Sequence, residues 1–343
     1  MKKIITSLLA VVMVFSLLAG CTTQNDEESK ASATAKPPEP IKIGVSIMEM
    51  SAYTWFLGAR DGCEQWGKEH PEANFTFQFE DSASDVSTML NNIDNLITAG
   101  AKGIILFPAD ASSAIPTIKQ AVSQGIPFII GDYKQDPANE ADAVWSTFVG
   151  HDMRALGVTA GKVAVDYLKI LGKDNPVCLF ITRPTSGQVS IDRFEGFSST
   201  ILVEFPNARI IEEGDVGAGS RASSQDLTEN ILQRETVIDV VCGHNDAEVI
   251  GAYNAAVSQN REGIKFIGIA GDKDVFKFLS EGNEAWLAEV LQDPVVLGYL
   301  ATDAIYKVLV LNQTLPDKYD LPEPEAITPE NIANYDWQNW SWL

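Results

Sequence analysis

The 343-residue chain has only three histidines, His70, His151 and His244, scattered with no His-x-x-x-His pair, which argues against a histidine-built metal site. It has no Lys/Arg cluster in its body. Its 25 basic residues face 47 acidic ones, for a formal net charge of −22, a balance that argues against nucleic acid and against a basic membrane-binding face. There is no Ser nucleophile elbow and no glycine-rich phosphate loop, and Gly217-Ala218-Gly219 is too short to count as one. An enzymatic function therefore has little support, and nothing points to a cofactor. Cysteine is scarce too. Beyond the N-terminal region only Cys63, Cys178 and Cys242 remain, an odd number without metal-ligand spacing, which predicts buried free thiols rather than disulfides.

A long apolar run occurs only at the start. Lys2 and Lys3 precede residues 4–18, a stretch too short for a comfortable membrane span. It ends in Leu18-Ala19-Gly20-Cys21, which resembles a bacterial lipoprotein signal. That resemblance implies a signal peptide over residues 1–20, cleavage before Cys21 and a lipid on Cys21. The expected location is the extracytoplasmic face of the cell membrane: the outer surface of a single-membrane host, or the periplasm of a double-membrane one. Residues 22–40 are rich in Ser, Thr, Ala, Glu and Pro, cannot bury enough surface to offset their ordering entropy, and read as a tether.

From residue 41 onward the pattern is α/β. Ile43-Gly44-Val45-Ser46-Ile47 reads as a strand, residues 50–56 as a polar and aromatic turn, and residues 57–70 as a helix. Strand patterns follow at residues 75–79, 103–107, 127–131 and 143–149, with helical patterns between the first four. The rhythm then repeats, with strands expected at 177–181, 209–213, 237–241, 266–269 and 285–291 and a last helix to about residue 310. Such alternation means parallel sheets covered on both faces, and its repetition implies two α/β lobes.

In open parallel sheets, ligands bind beyond the carboxyl ends of the strands. Residues suited to hydroxyl recognition recur there: Asp132, Asn245 with Asp246, and Gln292, joined by Arg193 near a helix start. A carboxylate accepts from two hydroxyls, an amide donates and accepts, and a guanidinium donates as a planar fork. Tyr53, Trp55 and Phe56 crowd the first turn and suit the C–H face of a sugar ring. Asp or Asn after a strand is also an ordinary helix cap, and aromatics are usually core, so it is the recurrence that carries the expectation.

Several stretches together resemble the ribose/galactose-type periplasmic sugar-binding proteins, the capture subunits of ABC importers. These are Tyr53-Thr54-Trp55-Phe56 through Asp61-Gly62, the 127–132 run, Arg193-Phe194-Glu195-Gly196-Phe197, Gly243-His244-Asn245-Asp246, Val290-Leu291-Gln292-Asp293-Pro294 and, near the end, residues 326–331. The resemblance implies a type I periplasmic binding fold: two Rossmann-like lobes of parallel sheet flanked by helices, joined by three crossings. The first lobe would comprise 41–151 plus 293–319 and the second 152–292 plus 320–343, with the third crossing near 318–320. It implies that Trp55 and Phe56 sandwich a sugar and that Asp132, Arg193, Asn245 and Gln292 bind its hydroxyls. It also implies ABC importer permease subunits as partners, with a sensor or chemoreceptor protein as a further one.

Three departures distinguish this chain. The ribose-type pattern has Arg at Tyr133, Asp at Ala270 and Phe near Gly219. Asp272 is the candidate substitute for the missing Asp, and Tyr133 joins the expected ligand-binding set. The altered pocket favours a differently shaped or larger ligand than ribose. A nucleoside, or a signal passed to a sensor kinase, remains an alternative on the same fold. The Trp-rich tail, residues 335–343, is expected to pack on one lobe.

Overall fold

Two six-stranded sheets form in the computed structural model, which describes residues 39–51, 54–132, 144–215, 220–319 and 321–343. The first half of the chain runs β1 (Ile41–Ile47), α1 (Trp55–Glu69), β2 (Phe75–Asp81), α2 (Val86–Thr98), β3 (Gly103–Phe107), α3 (Ala111–Ser123), β4 (Phe128–Gly131) and β5 (Thr147–Val149). The second half runs α4 (Met153–Leu171), β6 (Val177–Thr182), α5 (Gln188–Glu204), β7 (Arg209–Gly214), α6 (Arg221–Arg234), β8 (Val240–Gly243), α7 (Asp246–Ser258), β9 (Lys265–Ala270), α8 (Lys273–Ser280) and β10 (Trp286–Leu291). Then come α9 (Pro294–Leu309), β11 (Lys318–Tyr319) and β12 (Ala326–Ile327).

The first sheet has the order β11-β5-β4-β3-β1-β2 and the second β12-β10-β9-β8-β6-β7. All pairings are parallel except β10 with β12. In β3 and β4 every residue is buried, as strands covered by helices on both faces must be. The chain crosses between lobes three times: between Val149 and Met153, between Leu291 and Pro294, and between Tyr319 and Ala326. Lys318 and Tyr319 pair with β5 and so belong to the first sheet, which puts the third crossing after Tyr319.

The acid excess has a structural use. Five helices start at an Asp whose carboxylate accepts backbone N–H groups of the first turn: Asp85, Asp110, Asp152, Asp272 and Asp293. Two strand boundaries differ most from expectation, the run expected at 143–149 being strand, among its described residues, only over Thr147–Val149. The run expected at 237–241 pairs only from Val240 to Gly243. Just before it, the Asp239 N–H donates to the Val177 carbonyl at 2.8 Å while its carboxylate takes the Val177 N–H at 2.8 Å and the Lys173 ammonium at 2.6 Å. Cys63, Cys178 and Cys242 are free and buried, and burial pushes the first two thiols up to about 12.

The tail touches both lobes rather than one. Trp337 stacks on Phe276 of α8, with centroids 5.9 Å apart, and Trp340 meets the same ring edge-on. Trp342 stacks on Trp340 and lies where a side chain at Gly58 of α1 or Gly271 before α8 would collide with it or touch it. Its carbonyl accepts from Thr54 Oγ1 at 2.9 Å.

Candidate ligand-binding site

A cavity of about 670 Å³ lies between the carboxyl ends of the two sheets. Arg193 is a buried guanidinium on its wall. It projects from α5, which packs on α4 so closely that an added Cβ at Gly157 would collide with the Arg193 carbonyl, and one at Gly196 with that of Arg154. Glycine at both positions lets the backbones meet and holds the guanidinium in place. Nη1 donates to the His244 carbonyl at 2.5 Å and Nη2 to Gln292 Oε1 at 2.6 Å, with Met153 Sδ 3.3 Å from Nη2.

Gln292 carries the connection across to the first lobe. It sits one residue past β10, and its Nε2 donates to Asp132 Oδ1 at 3.2 Å. Asp132 follows β4 with a left-handed φ of 67°. Asn and Asp tolerate that conformation better than most residues, and such strained positions cluster at ligand sites. Burial pushes the Asp132 carboxyl up to about 6, against the opposing pull of Arg193 and of the Gln292 amide. Trp55, the first residue of α1, donates its indole N–H to the Gln292 carbonyl at 3.0 Å, which fixes the ring on the cavity wall.

Asn245 caps α7, its Oδ1 accepting from the Ala247 N–H at 3.0 Å and from Arg183 Nη2 at 3.1 Å. With that oxygen doubly engaged, the amide nitrogen is the part suited to donate to a ligand. His244 is held neutral by burial and by the neighbouring Arg193 and Arg183. His151, at the first crossing, is pushed down to about 4 by burial, and its Nε2 is 3.1 Å from the carbonyl of Asp293 at the second crossing. The neutral ring ties two of the three connections together.

The structure thus brings Trp55, Asp132, Arg193, Asn245 and Gln292 to one cavity. Phe56 is not on it. The Phe56 ring is 2% exposed and packs in the first lobe's core, 6.2 Å from the Phe107 ring, because successive residues of a helix face different directions. Asp272 does not reach this cavity either. Its carboxylate binds Arg221 Nη2 at 2.9 and 2.8 Å and faces an adjoining hollow. Tyr53, Tyr133, Gly219 and Cys21 lie outside the described residues. Two charged residues on the wall escaped sequence reasoning, Glu49 and Arg183. Each stands just past a strand's carboxyl end, after β1 and β6, the same signal that picked out Asp132 and Gln292. Arg183 Nε pairs with Glu248 at 2.7 Å. Glu49 accepts from the Ser51 N–H at 2.9 Å and its hydroxyl at 2.8 Å. Among the described residues no group of three or more His, Cys, Asp or Glu is arranged to hold a metal ion. Nor is any described helix long and apolar enough to cross a membrane.

Residues 43–313 match a protein family described as the periplasmic binding protein domain. The chain belongs to that family. It is a solute-binding protein and not an enzyme. This periplasmic binding protein is 26% identical over 281 residues to a xylitol-binding protein of Mycolicibacterium smegmatis, covering 81% of this chain and 75% of the relative. It is 24% identical over 310 residues to a ribose import binding protein of Bacillus subtilis, covering 90% of this chain and 94% of the relative. A solved periplasmic ribose ABC transporter structure from Conexibacter woesei shares its fold, with a TM-score of 0.75 at 19% identity, covering 86% of this chain and 94% of that one.

Proposed function

We propose that this binding protein captures a sugar or polyol between its lobes and delivers it to an ABC importer. The observation that carries the reading is the polar chain Asp132–Gln292–Arg193 beside the Trp55 indole, all on one cavity. It offers a carboxylate, an amide, a guanidinium fork and an aromatic face, the set that hydroxyls and a C–H ring face need. Glu49, Asn245 and Arg183 extend the same chemistry around the wall. The relatives named for ribose and xylitol support a polyhydroxylated ligand. Asp132 and Trp55 come from one lobe and Arg193 and Gln292 from the other, so a ligand touching all four would favour the closed arrangement of the three-crossing hinge. Lipidation at Cys21, with residues 22–40 as tether, would hold the receptor at the extracytoplasmic face beside its importer.

A thermal-shift screen of residues 42–343 tests this. A ligand that binds the native form alone must raise the melting temperature. The expected result is a rise with a small number of sugars or polyols. A rise with nucleosides only would replace the proposed ligand class, and a flat response to every carbohydrate would count against the reading.

A further inference from the structure

A second hollow of about 430 Å³ adjoins the main cavity. The two share Trp55, Asn245, Ala247 and Ala270 as lining residues. Two of these four are alanines, so part of the neck between the spaces carries small side chains, with Trp55 and Asn245 making up the rest. Ala270 has a φ of 127°, a conformation that L side chains rarely adopt. The turn after it is held by the Asp246 carboxylate, which accepts from the Gly271 and Asp272 N–H groups at 2.9 and 2.8 Å.

The far end of the hollow is a built surface. Arg221 bridges Asp272 at 2.8 Å and Asp274 at 2.5 Å, so its charge is matched locally. Trp342 closes one side, 3% exposed and fixed by its stack on Trp340 and by the bond from Thr54. Carboxylates that accept, a guanidinium that donates and indole rings repeat the chemistry of the main cavity. An added anion would meet Asp272 and Asp274, and an added cation would meet Arg221 and Lys273, so a neutral occupant fits best.

We propose that the hollow is a second subsite, and that the ligand is a neutral disaccharide or glycosylated polyol spanning the Ala247–Ala270 neck. This rests on the reading of the main cavity as a sugar site. The main cavity alone already lies in the ordinary range of roughly 300–1,000 Å³ for a small-molecule pocket. A single ring would leave the adjoining walls facing only water, whereas a second ring reaches Arg221, Asp272 and the Trp342 indole.

Titration calorimetry on residues 42–343 tests the proposal with cellobiose, maltose, lactose, melibiose and sucrose, each against its component monosaccharides. At least one disaccharide is expected to bind about tenfold or more tightly than either of its components. Arg221→Gln touches only the second hollow and should remove most of that advantage while leaving monosaccharide affinity within about twofold. Trp342→Leu, which keeps an apolar side chain at the wall, should act in the same direction. Monosaccharide binding that no disaccharide exceeds overturns the subsite and leaves the main cavity reading intact. The subsite is equally overturned if the two variants weaken a disaccharide and its monosaccharides alike. Silence with every carbohydrate overturns both readings together.

Discussion

The indole nitrogen of Trp55 donates to the backbone carbonyl of Gln292 at 3.0 Å, joining the first helix of one lobe to the last long strand of the other. The Gln292 side chain meets Asp132 and Arg193 in turn. One residue, at the point where the chain leaves the second sheet, therefore links both walls of the cavity. Trp55→Ala should weaken ligand binding by about 1–3 kcal/mol through the lost aromatic face. Trp55→Phe keeps a ring but not the N–H and should fall between that variant and the native protein. Calorimetric titration of the three proteins checks the order; equal affinities would remove Trp55 from the site.

Asp132 gives the binding reaction a pH dependence. Its carboxyl is pushed up to about 6, so it is mostly ionised at pH 7.5 and mostly protonated at pH 5. The ionised form is the one that accepts two hydroxyls. Affinity should fall by roughly tenfold as pH drops from 7.5 to 5, and Asp132→Asn should flatten the profile while lowering affinity at the upper end. A native profile as flat as the variant's would show that Asp132 does not contact the ligand in its ionised form.

A second carboxyl effect concerns stability rather than binding. Asp246 and Glu289 face one another over Gly268, where an added Cβ would collide with Asp246 Oδ1 and Glu289 Oε2 alike. Burial pushes both carboxyls up, Asp246 to about 7 and Glu289 well above its ordinary value, and each is a like-charge neighbour of Asp272. The folded state therefore keeps protons that the unfolded chain releases above about pH 4.5. The stability contribution is fully present below that pH and is lost as pH rises through about 7. Melting temperature should decline from pH 5 to pH 8, and Glu289→Gln, which stays neutral and can donate to Asp246, should lessen the decline. Parallel curves for the two proteins would mean the pair does not share a retained proton.

The tail contributes to stability through aromatic packing. Trp337 is 8% exposed and stacks on Phe276, which is fully buried. Trp337→Ala should cost about 3 kcal/mol, as large-to-small changes in packed sites do, measured by denaturant unfolding. Deleting residues 335–343 should cost more, since it also uncovers Gly58 and Gly271, which Trp342 covers. A melting curve unchanged by the deletion would show the tail to be peripheral.

The sheets were legible because β3 and β4 are apolar throughout and β1 is broken only by Lys42 and Ser46, and because Asp85 and Asp110 mark the starts of α2 and α3. Strand-end polarity gave Asp132, Asn245 and Gln292 for the same reason: the carboxyl end of a buried parallel strand is where the chain returns to solvent. What remained illegible depends on direction. Phe56 is adjacent to Trp55 in sequence, but one step along a helix turns the side chain about 100°, into the core. Asp272 stands near the missing strand-end carboxylate, yet Arg221, 51 residues earlier, claims it, and no local pattern announces that ion pair. Glu49 and Arg183 carry the strand-end signal too, but a polar residue just past a strand is as common in an ordinary loop, and no local pattern separates the two.

Arg193 offers the most direct measurement of the whole account. Its guanidinium is 3% exposed, and its Nη atoms bond the His244 carbonyl and the Gln292 side chain on the cavity wall. Once the thermal-shift screen has named a sugar, that sugar should be titrated into the native protein and into Arg193→Ala and Arg193→Lys, with circular dichroism run on each to check folding. The expected result is folded variants with no measurable binding for Ala and strongly weakened binding for Lys, since a charge-assisted bond contributes about 1.5–3 kcal/mol and Lys lacks the planar fork. A folded Arg193→Ala protein that binds the sugar with native affinity would contradict the assignment of this cavity as the ligand site.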